Sequence, residues 1–318
     1  MPDPRLLRSL TLARGTYDRA ADRRLDEQWL GQVWSGEIPA RVLVVHQGMV
    51  AVTTELPAEL VFQDPIAVEG IAGVRAVLGI EDDIVYLGLL LPAESAVPEL
   101  PKAAAGEEVM AGGLREFGGR LGDRDSGLLV SAVALANWHA GHSRCPRCGA
   151  PTQSVQGGWA RHCDVDSTDQ FPRNDPAVIV LVLDDQDRAL LGNRVGWPTT
   201  TYSTLAGFVE AGESAEMTVI REMAEEAGVR IDAARIDYLG SQPWPFPSSL
   251  MLGYHAYIAA DSPPAKGDGE EIATARWFTR DELAAACKTG EVVLPGTISI
   301  ARRLIEHWYG ADLPVASI

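Results

Sequence analysis

Between Gly207 and Val229 the chain reads G-F-V-E-A-G-E-S-A-E-M-T-V-I-R-E-M-A-E-E-A-G-V, a glycine-opened segment that turns into an acidic helical run. Setting Glu222 at zero and stepping ~100° per residue puts Glu226 at ~40° and Glu225 at ~−60°, so three carboxylates share one helix face. Ile220, Met223, Ala224 and Ala227 fall on the opposite side, which predicts an apolar back, and Gly228 supplies the left-handed stop. Like charges at i,i+4 destabilise a helix. Arg221 can pair with Glu225, but no basic residue in helical reach neutralises Glu222, and Arg230 lies beyond the stop from Glu226. Taken alone, this face is either a solvated acidic surface or a seat for a hard divalent cation such as Mg²⁺, which takes oxygen ligands and leaves room for phosphates.

A second group capable of chemistry is Cys145-x2-Cys148 followed by Cys163, three of the four cysteines within nineteen residues. That clustering in a cysteine-poor chain predicts a metal site rather than a disulfide framework. A structural zinc ribbon wants four ligands in two pairs. Here the second pair is Cys163 with Asp166, a carboxylate in place of a thiolate, and His162 is another candidate. Two readings stay open, a zinc site with an altered fourth ligand and a ribbon that folds without metal. His139 and His142 have no standard ligand spacing to Cys145 and read as ordinary residues.

The third group is S-Q-P-W-P-F-P-S-S, Ser241 to Ser249. Prolines at 243, 245 and 247 fix three φ angles and bias each preceding residue to extended conformations. Trp244 and Phe246 are then carried on a stiff, non-helical ribbon. Such a ribbon either buries two aromatics in a loop or presents rings to a planar ligand at low ordering cost.

The elements that must position these groups are legible in outline. Val42–His46, Val50–Thr53, Ala67–Val68 and Ile84–Leu91 read as strands, and 92–113 as surface loop or short helix, so residues 1–125 form a mixed α/β domain, a scaffold or dimerisation surface without a chemical constellation of its own. Leu128 to Trp138 read as a helix buried on more than one side, with Asp125 or Ser126 as N-cap. This helix and the cysteine ribbon make up 126–171. Ala177–Leu183 is a continuous apolar run, a strand buried on both faces, with Ala189–Leu191 as its partner across the D-D-Q-D turn. Thr204–Val209 leads into the acidic segment, giving strand, loop, helix. The fold class expected for 172–318 is α/β, a mixed sheet between helices.

At 318 residues, 46% hydrophobic and 22% charged, the composition is that of a soluble globular protein of about two or three domains. A net charge of −17 argues against broad adhesion to nucleic acid or anionic membrane. No apolar run reaches the ~20 residues that cross a bilayer, and the N-terminal stretch has no apolar signal core, so a cytoplasmic location is expected.

Spacing carries the reading further. G-x5-E-x7-R-E-U-x-E-E-x-G-U, with U a bulky apolar residue, is filled at Gly207, Glu213, Arg221, Glu222, Met223, Glu225, Glu226, Gly228 and Val229, and this resembles the signature of Nudix hydrolases. With FPRNDPAVI before it and SQPWPFPSS after it, roughly residues 140–305 resemble the NADH pyrophosphatase (NudC-type) subfamily. The resemblance implies hydrolysis of the diphosphate of reduced NAD, and of NAD⁺, to AMP and the nicotinamide mononucleotide. Several NudC-type enzymes also remove NAD caps from RNA 5′ ends. It implies Mg²⁺ or Mn²⁺ held by Glu222, Glu226, Glu271 and the carbonyl of Ala206. It places substrate contacts on Gln242, Pro243, Trp244, Pro245, Phe246, Pro247, Ser248 and Ser249, on the rings of Phe171 and Phe208, and on Ala301, near which the chain carries two residues more than the family pattern. Cations at this site would screen the phosphoryl oxygens and acidify an attacking water. Glu226 is the first choice to position or deprotonate that water, beside Glu222 and Glu225, and Arg221 orients the glutamates. Family likeness also implies a homodimer. The competing expectations are a Nudix hydrolase of another diphosphate, such as ADP-ribose or a dinucleoside polyphosphate, and a ribbon-type RNA-binding protein with a noncatalytic Nudix fold.

Overall fold

The computed structural model describes residues 7, 10–103 and 106–314, so the outermost ends of the ranges 1–125 and 172–318 lie outside the described residues, as does most of the stretch read for a signal core at its very start. By internal contacts the chain forms two compact units, one of 14–174 with 245–248, the other of Asp175–Trp244, the segment from Ser249 onward and the described residues before Arg14.

In the first unit, α1 (Glu27–Trp34) precedes β1 (Ala40–His46), β2 (Met49–Thr53), β3 (Val74–Glu81), β4 (Ile84–Leu91) and β5 (Val109–Gly113), which form a sheet in the order β3-β4-β1-β2-β5. β1 and β4 run parallel and the other pairs antiparallel. Two local expectations fail here. Ala67–Val68 is not a strand but the end of a 3₁₀ turn, Pro65–Val68, in which Pro65 sets a helical φ. The segment 92–113 ends in a strand, β5, because its last residues find the open edge of β2. After the short α2 (Leu114–Phe117) comes α3 (Asp123–Gly141), most of whose residues from Asp125 to Val133 are buried. Its N-cap is Gly122 rather than Asp125 or Ser126. The Asp125 carboxylate is buried instead, accepting the Leu60 N–H at 2.9 Å and pairing with Arg124 at 2.7 Å. The unit closes with a small antiparallel sheet of β6 (Gln153–Val155), β7 (Ala160–Cys163) and β8 (Thr168–Gln170).

The second unit is built on β9 (Asp175–Leu183), with β10 (Ala189–Arg194), β11 (Leu205–Phe208), α4 (Ala215–Ala227), β12 (Ile231–Trp244), β13 (Ser249–Ile258), β14 (Ile272–Phe278), α5 (Arg280–Thr289) and α6 (Ile300–Tyr309). The sheet order is β12-β13-β9-β10-β14, and β11 pairs with β9. It is mixed, since β13 runs parallel to β9 while the other pairs are antiparallel. Period-two alternation splits β9 between two cores. Val178, Val180 and Val182 pack with Val219, Met223 and Ala227 of α4. Ile179, Leu181 and Leu183 pack with Leu283 of α5 and Leu304 and Ile305 of α6. Each such buried side chain contributes roughly 1.5–3 kcal/mol, so both faces of the strand are strongly specified. The result is the expected α/β arrangement, a mixed sheet between helices.

Candidate active site and metal-ligand cluster

α4 starts where Ser214 caps it, its Oγ accepting the Met217 N–H at 3.2 Å, and stops where Gly228 turns left-handed at φ +67°. Its buried stripe is Thr218, Val219, Met223, Glu226 and Ala227. Ala224, expected on the apolar back, is exposed, and Glu226, expected on an acidic front, is only 4% exposed. The helix is rolled so that Glu226 enters the groove beside β11, where its Oε2 accepts the Ala206 N–H at 3.3 Å. Glu222 follows on the same side. A Cβ built on Gly207 would fall 1.8 Å from Glu222 Cδ. The glycine is therefore required by the carboxylate that occupies its missing side chain's place.

Arg221 organises the remaining acids. Its guanidinium donates to both carboxylate oxygens of Glu213 at 2.7 and 2.8 Å, to Glu222 at 2.8 Å, to Glu225 at 2.9 Å and to the Phe208 carbonyl at 2.9 Å. The expectation that no base reaches Glu222 is corrected by this geometry, because a long arginine spans to the neighbouring side chain as well as to i+4. Glu213 also accepts from Thr218 and from the Glu210 N–H. The Arg221 fork holds the Glu213 carboxyl down at about 2.

The inner pair is different. Burial first, then the neighbouring charges of Glu222 and Glu271, push Glu226 up to about 8 against the opposing Ala206 N–H and Arg194. Burial likewise raises Glu222, opposed by Arg221 and reinforced by Glu225 and Glu271. The carboxylates of Glu222, Glu226 and Glu271 therefore act on one another electrostatically. This all-oxygen donor set fits a hard divalent cation. Glu271 lies at the head of β14, where Asp268 accepts its N–H at 3.0 Å, and its carboxylate pairs with Arg194 at 3.2 Å. Glu225 is the outlier, 60% exposed and held only at the rim.

The S-Q-P-W-P-F-P-S-S segment is a hairpin tip rather than a free ribbon. Pro243 pairs with Leu250 and Trp244 with Ser249 in the β12–β13 ladder. β12 is an edge strand, the position in a sheet where proline is tolerated. Gln242 is fully buried, donating to the Ile298 carbonyl at 3.0 Å and accepting from Leu12 N–H at 3.4 Å. Pro245 to Ser248 belong by contacts to the other unit, where Asn137 donates to the Pro245 carbonyl at 2.8 Å and the Arg115 guanidinium lies 3.8 Å over Phe246. Phe208, at the end of β11, and Phe171, after β8, are each 59% exposed. Ala301, in the first turn of α6, is buried in the core.

In the ribbon, Cys145, Cys148, Cys163 and Asp166 bring one ligand atom each to within 4.8 Å of one another. Gly149, at φ +75°, makes the turn after Cys148 and returns its N–H to the Cys145 carbonyl at 2.9 Å. Asp166 divides its two oxygens. Oδ1 accepts the Thr168 hydroxyl at 2.5 Å and the Thr168 N–H at 3.2 Å, while Oδ2 faces Cys145 Sγ at 3.1 Å. Three thiols and one oriented carboxylate fit a tetrahedral Zn²⁺ site. The alternative ligand His162 alternates to the other face of β7 and pairs with Asp169 at 2.7 Å. His139 is buried, hydrogen-bonded to the Gly158 carbonyl and to Arg161, away from the thiols.

Sequence spacing singled out the glutamates of α4 and the cysteines and Asp166 that the ribbon gathers. It missed Arg194, which reaches the acids from a strand end, and gave no reason for Gly207, whose partner is a side chain fifteen residues on.

Residues 173–295 match the family model described as NUDIX domain, and 141–171 match NADH pyrophosphatase zinc ribbon domain. The NAD-capped RNA hydrolase NudC of Mycobacterium bovis (strain BCG / Pasteur 1173P2) is 41% identical over 326 residues, covering 96% of this chain and 97% of its own. The mitochondrial NAD(P)H pyrophosphatase NUDT13 of Mus musculus is 37% identical over 69% of this chain and 65% of its own, and the NAD-capped RNA hydrolase NUDT12 of Macaca fascicularis is 38% identical over 59% and 43%. With ribbon and hydrolase families matched in order and a relative matched along nearly its whole length, the chain belongs to the NudC-type NADH pyrophosphatases of the Nudix hydrolase superfamily.

Proposed function

We propose that this enzyme hydrolyses the diphosphate bond of NADH and NAD⁺ to AMP and the nicotinamide mononucleotide, and acts on NAD-capped RNA 5′ ends through the same site. The observation that carries the reading is the placement of two carboxylates against β11, partly buried Glu222 on Gly207 and buried Glu226 on the Ala206 N–H. The complete S-Q-P-W-P-F-P-S-S hairpin supports the choice of a nicotinamide dinucleotide.

Glu222, Glu226, Glu271 and the Ala206 carbonyl would hold Mg²⁺ or Mn²⁺, which when bound offsets the diphosphate charge and acidifies the attacking water. The protein's own groups do the rest. Glu226 is the first choice to position or deprotonate the attacking water during in-line attack at one phosphorus, without a covalent intermediate. Arg221 keeps Glu222 and Glu225 in place through its tie to Glu213. Family likeness assigns substrate contacts to Phe208 and Phe171, whose rings are exposed, to the segment Trp244 to Ser249, and to Gln242 and Ala301, whose buried side chains would act by supporting the chain around them. Cys145, Cys148, Cys163 and Asp166 hold a structural Zn²⁺.

The working division is 1–125 as scaffold and dimerisation domain, 126–171 as linking helix and ribbon, and 172–318 as catalytic domain. The functional form is a cytoplasmic homodimer. No helix among the described residues is long and apolar enough to cross a membrane.

Glu222→Gln and Glu226→Gln test the site. Each should keep its fold by circular dichroism and lose at least about 100-fold in kcat for AMP release from NADH, the scale of losing a principal electrostatic or acid–base group. Near-wild-type turnover in both would sink the assignment.

A further inference from the structure

Arg194 is a cation among the acids that no motif position accounts for. It is the last residue of β10, and the pairing with β14 slips just there, from Asn193 opposite Thr274 to Arg194 opposite Ile272. A slip of this kind re-aims a strand's side chains, as bulges beside active sites do. Backbone and side-chain ties fix the result. Asn193, buried, donates to the carbonyls of Pro198 and Thr201 at 2.8 and 2.7 Å, and the Val195 N–H donates to the Glu271 carbonyl at 2.9 Å. The Arg194 guanidinium then meets the Glu271 carboxylate at 3.2 Å, and its charge also acts on buried Glu226.

Both side chains of this pair are more than half exposed, 52% and 60%. Such a pair is weak and easily exchanged. A divalent cation that also engages Glu222 and Glu226 would win Glu271 from it. A guanidinium so released stands at the site rim, with the planar fork that suits phosphate oxygens.

We propose that Arg194 is an exchangeable counter-ion of the site, pairing with Glu271 before cation loading and with the substrate's diphosphate after it. This rests on the reading of Glu271 as a cation ligand. It makes Arg194 a competitor of the cation in the free enzyme and a partner of the substrate in the loaded one.

The test follows Mn²⁺ binding without substrate, by the free-ion electron paramagnetic resonance signal, in the zinc-loaded wild type, Arg194→Gln, Arg194→Lys and Glu271→Gln. Steady-state kinetics with NADH at saturating Mn²⁺ accompany it. Arg194→Gln should bind Mn²⁺ about three- to tenfold more tightly, because a competing positive charge is gone. Its KM for NADH should rise about tenfold with kcat within about threefold, and Arg194→Lys should fall between it and wild type on both readouts. Unchanged or weaker Mn²⁺ binding in Arg194→Gln, or an unchanged KM, overturns the exchange. If that happens while Glu271→Gln loses Mn²⁺ affinity, the exchange alone is wrong. If Glu271→Gln binds Mn²⁺ like wild type, the ligand assignment fails and the exchange with it.

Discussion

At Gly207 a single hydrogen atom in place of a side chain decides where a carboxylate sits. Any Cβ there would overlap Glu222, so Gly207→Ala must move either β11 or the glutamate. β11 is paired to β9 on its inner side, Gly207 opposite Val178, which leaves Glu222 as the part that yields. Gly207→Ala is therefore expected to reproduce much of the Glu222→Gln defect, at least about tenfold in kcat, by the steepness with which misplaced catalytic groups lose rate. Full activity in a folded Gly207→Ala protein would show that Glu222 does not need this seat. The spacing of glycine and glutamates was legible in the sequence because a helix repeats every 3.6 residues and the signature is local. The roll of the helix was not. Which of Ala224 and Glu226 is buried depends on what β11 offers, and the Ala206 N–H tips that choice toward the acid. Arg194 was illegible for the same reason, since it is brought to Glu271 by strand pairing across seventy-seven residues.

Among elements, the ribbon and the hairpin show how far composition can be trusted. The cysteine knuckle and Asp166 assemble as their spacing suggested, because tight turns of a few residues are set locally. Thr168 fixes one Asp166 oxygen and leaves the other toward Cys145, the orientation a carboxylate would need in a thiolate's place. As purified with zinc, the protein should carry about one Zn²⁺ per chain, and Asp166→Ala should lower occupancy while Asp166→Cys restores it. Zinc-free protein with intact thiols and unchanged thermal stability would favour a ribbon that folds without metal. The proline-rich segment, in contrast, reads as a stiff ribbon from sequence and is the end of a long hairpin. Nothing local announces that β12 and β13 pair through Pro243 to Trp244, because the register is set by β9 on the far side of β13. Ala67–Val68 failed in the opposite direction, two apolar residues without a partner strand.

At the scale of the whole molecule, each compact unit holds a buried histidine whose proton affinity burial lowers. His139 donates to the Gly158 carbonyl and accepts from Arg161, and His255 hydrogen-bonds the Leu304 carbonyl. Burial is the largest cause in both, pushing each down to about 4. An unfolded histidine, at about 6.5, binds its proton first as pH falls. The sign is then fixed. This stability is fully present above pH ~6.5 and is lost as pH falls toward ~4, on the order of 2–3 kcal/mol per histidine. Tm should therefore fall between pH 7 and 4.5, and His255→Gln should flatten that slope if it folds. A Tm independent of pH over this window in wild type would contradict the neutral assignment. The mixed sheet between helices was foreseeable from the strand–loop–helix order and from the unbroken apolar run of β9. The two-unit partition was not, because Pro245 to Ser248 leave the sequence range that contains them.

The most direct test of the central claim is a matched comparison of NADH, NAD⁺, ADP-ribose and NAD-capped RNA at one Mn²⁺ or Mg²⁺ concentration, following AMP and mononucleotide release. The account predicts cation-dependent cleavage at the diphosphate, with kcat/KM for the nicotinamide dinucleotides or the capped RNA at least about tenfold above that for ADP-ribose, a modest specificity for a site that recognises the extra ring. Equal or faster cleavage of ADP-ribose, or no cation-dependent release of AMP from NADH, would contradict it.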